Sequence, residues 1–356
     1  MVTLFALALG TANAQVAADW STYGPVLLTG ASVPFGDTVG SPSVVYDSTN
    51  DRYMMFFETF MGTTANCPAG EWGIGVALSN DGLSWTVNPN PVIDPDPASA
   101  SPNYYSCVAA HPGAIYTPSG SPGGTVYLYF KAEQASDACT VLGSPPSWGC
   151  EQYTGVGSTR VRFNANGTIR DRVTTVTPSL PKDTNFGYPK PLRYQSTIAL
   201  SYTVYPDVHI ATTPVTSPNG PFVEQGVAME HASLAPDWAP DEFFNAAISC
   251  QDSGAFPVEL WVGGRDTDFG IVLTGALGKA VASPTDITSW VLDVEPQFAW
   301  SGADDFRHWD VLRVLTNEYL LYYDEKDGSG NNQVRLATTL PSFSWTNTDV
   351  YDKACP

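Results

Sequence analysis

Carboxylates lie just upstream of several of this chain's apolar runs. Asp37 stands in Phe35-Gly36-Asp37-Thr38-Val39-Gly40, Asp183 in Lys182-Asp183-Thr184-Asn185, and Glu242 ahead of Phe243-Phe244-Asn245. Two carboxyl groups held across one cavity can serve as acid and base on a single bond. An aromatic neighbourhood such as that of Glu242 can raise the pKa of the donor. A further concentration is Asp304-Asp305-Phe306-Arg307-His308-Trp309-Asp310, where acids, bases and aromatic rings precede an apolar strand. His111 and Lys190 open two other apolar runs and could hold hydroxyls or carboxylates. Glu58, Glu133, Asp266, Asp324 and Glu325 end strand-like runs instead, and the first two are rival catalytic carboxylates if those ends face the same cavity. Arg265 and Asp266 could simply pair with each other.

Other chemistries find little support. The chain has no Gly-x-Ser-x-Gly elbow, no phosphate-binding loop and no His-Glu-x-x-His pair. Four scattered histidines make a multi-histidine metal centre improbable.

Such residues need a scaffold, and the chain repeats one. Ser41-Pro42-Ser43-Val44-Val45-Tyr46, the aromatic run Arg52–Glu58, Gly73–Ser79 and Leu83-Ser84-Trp85-Thr86 read as four strands joined by hairpin turns. The same grammar restarts near His111, Tyr188, Ala246 and Val311, with Phe343-Ser344-Trp345-Thr346 closing the last unit. No segment keeps a helical period over ten or more residues. Five units of about four short strands predict radial blades, one way for sheets to avoid exposed edges. A pair of β-sandwiches satisfies the same alternation.

The totals narrow the class. Of 356 residues, 43% are hydrophobic and 12% aromatic, so the chain has enough apolar surface to fold. Glycine (31) and proline (29) without a triplet period favour turns over collagen. The net charge of −20 supplies no basic stripe, which argues against nucleic acid and anionic membranes as partners. It suits a neutral or cationic ligand. Val2–Leu9 followed by Ala12-Asn13-Ala14 reads as a signal peptide over 1–14, although a basic n-region is missing. Six cysteines fit an oxidising compartment. The expected pairs are Cys67–Cys107, Cys139–Cys150 and Cys250–Cys355.

The phrase Gly73-Ile-Gly-Val-Ala-Leu-Ser-Asn-Asp-Gly-Leu-Ser-Trp85, together with the Pro-Ser-Val strand and the aromatic strand before it, resembles the blade pattern of five-bladed propeller glycoside hydrolases. These are related to arabinanases, xylosidases and arabinofuranosidases (glycoside hydrolase family 43 and its neighbours). Ala211–Phe222 is similar to that family's third strand and turn. The resemblance implies that Trp85 packs between blades while Asp81-Gly82 forms the turn. It also implies a base at the start of blade one, a tuning acid at blade three and a proton donor at blade four. The residue before the blade-one proline is Ser41, a departure that leaves Asp37 as base or sugar ligand. Asp183 takes the tuning position and Glu242 the donor position. The resemblance makes His111, Lys190, Arg307, His308 and Trp309 substrate-binding residues, with tryptophan stacking on a sugar face.

The expected protein is therefore all-β, one five-bladed propeller over 15–356. It would be a secreted, monomeric glycoside hydrolase acting on a polysaccharide or its oligosaccharides through two carboxylates, with inversion. The alternative is a non-catalytic carbohydrate-binding propeller, for which Ser41 speaks. A sialidase-like enzyme would need an arginine cluster that 16 basic residues supply poorly. No cofactor is expected beyond a calcium or other ion, which some relatives hold in the central channel and near which His308 could sit.

Overall fold

The computed structural model describes residues 20–28, 33–64, 67, 70–95, 105, 107–118, 122–133, 154–171, 177–182, 186–234, 236–250, 258–268, 271–283, 286–293, 295–300, 308–315, 318–327, 329–340 and 354–355. The expected signal peptide lies outside them. In chain order, β1 (Ser21–Leu28) precedes a first blade of β2 (Gly40–Asp47), β3 (Arg52–Gly62), β4 (Glu71–Ser79) and β5 (Thr86–Val87). The second contains β6 (Val108–Thr117), β7 (Thr125–Glu133), β8 (Thr154–Phe163), β9 (Ile169–Asp171) and β10 (Thr177–Lys182). The third is β11 (Phe186–Tyr194), β12 (Thr197–Val204), β13 (Asp207–Pro214) and β14 (Val223–Met229). A four-residue helix, α1 (His231–Leu234), leads to β15 (Glu242–Cys250), β16 (Val258–Asp268), β17 (Ile271–Ser283), β18 (Asp286–Leu292) and β19 (Phe298–Trp300). The fifth is β20 (Trp309–Leu315), β21 (Glu318–Lys326) and β22 (Asn332–Thr338), after which β23 (Ala354–Cys355) pairs with β11.

These modules form a ring. The inner strands touch in the closed cycle β2, β6, β11, β15, β20 and back to β2. The ring closes through β1, which pairs antiparallel with β22 as the outer strand of the last blade. That outer position was expected for Phe343–Thr346, which lie outside the described residues. The first strand and the last blade thus share one sheet, so opening the ring there requires breaking a ladder of backbone hydrogen bonds.

The blades pack through apolar and aromatic faces rather than helices. Trp85 of blade one meets Tyr322 of blade five edge-on at 5.7 Å, and the Tyr322 hydroxyl donates to Gly82 O at 2.9 Å. Gly82 has φ 70°, and Asp81 Oδ1 accepts the amides of Leu83 and Ser84. The expected turn and inter-blade tryptophan are both present. Cys67 and Cys107 form the expected disulfide, which joins blade one to the start of blade two. Cys250 is also disulfide-bonded. The side chains of Cys139, Cys150 and Cys355 lie outside the described residues.

Candidate active site

Four inner strands carry the same irregularity near their starts. Ser41, His111, Tyr188 and Asn245 have φ of 47°, 51°, 58° and 41°, and the pairing register shifts beside each of them. A bulge re-aims a side chain that a regular ladder would place on a blade face. The strain of a left-handed non-glycine residue persists only where surrounding structure imposes it. In blade five, His308 directly precedes β20. The five equivalent positions therefore hold Ser41, His111, Tyr188, Asn245 and His308, and none is a carboxylate.

Carboxylates reach the axis from within the second strands, β3 and β21. Glu58 lies in register opposite Gly40, and its Oε2 accepts the His111 amide at 2.9 Å. Asp324 follows Tyr323, which pairs with Trp309, and accepts the amides of Ser41 at 2.9 Å and His308 at 2.8 Å. Each carboxylate thus receives the bulge amide of the next blade around the ring. A methyl carbon built on Gly40 would sit 2.8 Å from Asp324 Oδ2 and 3.2 Å from Glu58 Oε1. The two oxygens are therefore no farther apart than those distances combined, and only glycine leaves the space between them open.

His111 and His308 complete the pit. Their rings lie 5.3 Å apart, and His111 stacks on Tyr188 at 4.2 Å. His308 Nδ1 lies 2.6 Å from Asp324 Oδ2, while His111 Nε2 is 3.7 Å from Glu58 Oε2. Burial raises the Glu58 pKa, and nearby Asp324 adds to the rise, against the opposing effects of His308 and the His111 amide. Burial also pushes His111 well below the ordinary histidine range, so its ring is neutral at pH 7. Tyr188 is likewise pushed up by burial, with Glu58 and Asp324 among the charges it senses.

The nominated residues fall into three groups. His111 and His308 are in the pit, as are Glu58 and Asp324, while Asp183 and Arg307 lie outside the described residues. Asp37 is exposed on the loop ahead of β2, its amide donating to Phe60 O. Glu242 accepts from Arg265 at 2.5 Å, and that guanidinium lies 4.3 Å over the Phe244 ring. Its surroundings are thus cationic as well as aromatic, and Arg265 pairs with Glu242.

Two nominations are corrected. Lys190 is 2% exposed, and its Nζ donates to Pro42 O and Pro112 O at 2.9 Å each, tying three blades together. Trp309 is fully buried, edge-on to Phe244 at 5.0 Å, so it cannot stack on a sugar. A run of acids and rings identifies a rim only if the chain leaves them outside, and here alternation turned Trp309 inward. A signal for the pit was available: in Phe56-Phe57-Glu58 and Tyr322-Tyr323-Asp324 an acid follows an aromatic pair.

The resemblance implied calcium in the central channel. Glu58, His111 and His308 each offer a donor atom, all within 4.8 Å of one another. Calcium takes six to eight oxygen ligands, and two imidazoles with one carboxylate are not such a set. The residues present do not fit that ion.

Solved structures share this fold. A glycosyl hydrolase from Bacteroides ovatus superposes with a TM-score of 0.56 at 12% identity, covering 91% of this chain and 94% of the other. The catalytic domain of the Coprinopsis cinerea family 62 α-L-arabinofuranosidase gives 0.55 at 13% identity, covering 90% and 97%. A structure from the family of mannoside phosphorylases that contains hydrolases of β-1,2-mannosidic linkages gives 0.60 at 12%, covering 91% and 94%. The fold is that of the propeller glycosidases. No family model matches the chain, and no curated protein matches it either.

Proposed function

We propose that this chain is a secreted, monomeric glycoside hydrolase that works at the axial pit, with Glu58 as proton donor and Asp324 as its partner carboxylate. The observation that carries the reading is the pair of carboxylates facing each other across Gly40. Asp324 accepts the amides of Ser41 and His308 and lies against the His308 ring nitrogen. Glu58 is desolvated and retains a proton more readily. A carboxyl that keeps its proton is suited to give it to a leaving group. The pair stands closer than the roughly 6.5–9.5 Å that inversion requires to admit a water. That narrow gap favours retention, with Asp324 attacking the sugar, over the expected inversion.

The substrate is a neutral glycan. Lys131 pairs with Glu133 at 2.7 Å, Arg265 with Glu242 at 2.5 Å, and Lys190 is turned onto carbonyls. Among the described residues, these cations near the funnel are committed to protein partners, leaving a uronate or sialate poorly served. The Cys67–Cys107 disulfide suits secretion.

The test is a panel of neutral aryl glycosides and polysaccharides, with the anomer of the first product read by NMR. Turnover with retention, lost in Glu58→Gln and Asp324→Asn, is the expected result. Turnover that survives both substitutions would discard the assignment. A second reading, a non-catalytic glycan-binding propeller, is favoured by the absence of acids at the five bulge-type positions. Saturable glycan binding without turnover by the unaltered chain would establish it.

A further inference from the structure

The mismatch with calcium points to a different ion. We infer that the axial pit is a binding site for a divalent transition metal of the zinc type, held by Glu58, His111 and His308 and oriented by Asp324. Imidazole nitrogen with carboxylate oxygen suits zinc, cobalt or manganese, whereas calcium wants oxygen alone. One donor atom from each residue lies within 4.8 Å of the others, so a modest side-chain rotation brings all three onto one ion.

Three further observations support a ligand here. His111 is 9% exposed, its Nδ1 has no hydrogen-bond partner, and its Nε2 stands 3.7 Å from Glu58, too far for a good hydrogen bond. An imidazole held this way, stacked on Tyr188 with nothing to donate to, is poorly satisfied by protein alone. His308 shows the second feature. Its Nδ1 is engaged by Asp324 at 2.6 Å, which leaves the lone pair on Nε2, and a carboxylate behind a histidine is the usual outer support of a metal ligand. The third is charge. Glu58 and Asp324 share a nearly dry pit, and a dication would neutralise both.

The inference builds on the pit described under the proposed function, and it adds a second state. An ion held by Glu58 occupies the same carboxylate that the hydrolase reading places against the substrate, so the loaded chain is the non-hydrolysing one and activity is sensitive to metal supply.

The experiment uses the full chain, stripped with chelator and dialysed. Zinc, cobalt and calcium chlorides are titrated in separately by calorimetry, and the cobalt form is followed by its visible absorption. Expected is one zinc per chain, a cobalt spectrum of low coordination number, and no calcium binding at this site. His111→Asn, whose side chain tolerates the left-handed backbone, and the near-isosteric Glu58→Gln should each weaken zinc at least about tenfold. Circular dichroism checks that both variants fold, and the unaltered chain's cobalt spectrum decides the matter if they do not. No zinc or cobalt binding, calcium binding in preference, or affinity unchanged in both folded variants would overturn the inference. Each of those results leaves the hydrolase reading to its own assay. A chain that binds zinc but turns over no glycoside when stripped would sink that reading while keeping the metal site.

Discussion

Asp324 grips His308 at two points: Oδ1 accepts the backbone amide at 2.8 Å, and Oδ2 engages the ring Nδ1 at 2.6 Å. The contact sets both the position and the tautomer of the histidine, and the same carboxylate oxygen takes the Ser41 amide from the neighbouring blade. Asp324→Asn keeps the size but removes the charge. It is expected to lower zinc affinity about 10–100-fold, the usual effect of losing an outer carboxylate, and to shift the His308 ring nitrogens in a ¹⁵N spectrum. Unaltered nitrogen shifts would mean that Asp324 does not select the tautomer.

The rim and the pit should separate in kinetics. Glu58→Gln is expected to lower kcat about 10²–10⁴-fold, as loss of a general acid does. Asp37→Asn, on an exposed loop, should leave kcat within about twofold. The reverse order would return the chemistry to Asp37, the base or sugar ligand that the resemblance implied.

Lys190→Met tests the hub of the ring. The substitution keeps the chain's length but leaves the carbonyls of Pro42 and Pro112 without their donor. Each unsatisfied buried group costs about 1–3 kcal/mol, so urea unfolding should show a loss of several kcal/mol. A near-neutral effect would mean that water replaces the ammonium.

Removing the disulfide should loosen the junction of blades one and two. Cys67→Ser with Cys107→Ser opens a bridge of sequence separation 40. The expected loss is about 2–5 kcal/mol, read as a lower urea midpoint. An unchanged midpoint would show that the strand contacts alone hold the junction.

Glu259 supplies a pH dependence of stability away from the site. It is fully buried, accepts from Trp261 at 3.0 Å and Tyr319 at 3.1 Å, and faces Lys279 and Arg313. Burial raises its folded-state pKa despite those partners. A raised carboxyl binds its proton more tightly in the folded chain, so its contribution is fully present below the unfolded value and is lost as pH rises through the folded one. Glu259→Gln should therefore flatten the fall in stability above pH 4.5, the ordinary value. Parallel curves for the two proteins would contradict the assignment.

Much of the architecture was legible in the residues alone. Alternating apolar runs, the Asp81-Gly82 turn and Trp85 specify strands, hairpins and a blade contact, because these depend on neighbours a few positions apart. The Cys67–Cys107 pair was equally readable. What tertiary structure decided was which acids meet. Asp37 and Glu242 have the right type and local setting, yet Glu58 and Asp324, 266 positions apart by their numbers, share the pit. Ring closure sets that meeting: β1 completes the last blade, blade five comes to lie beside blade one, and the Asp324 carboxylate falls beside Ser41. Local pattern encodes the pleat and the turn, but convergence on an axis is a property of the closed ring.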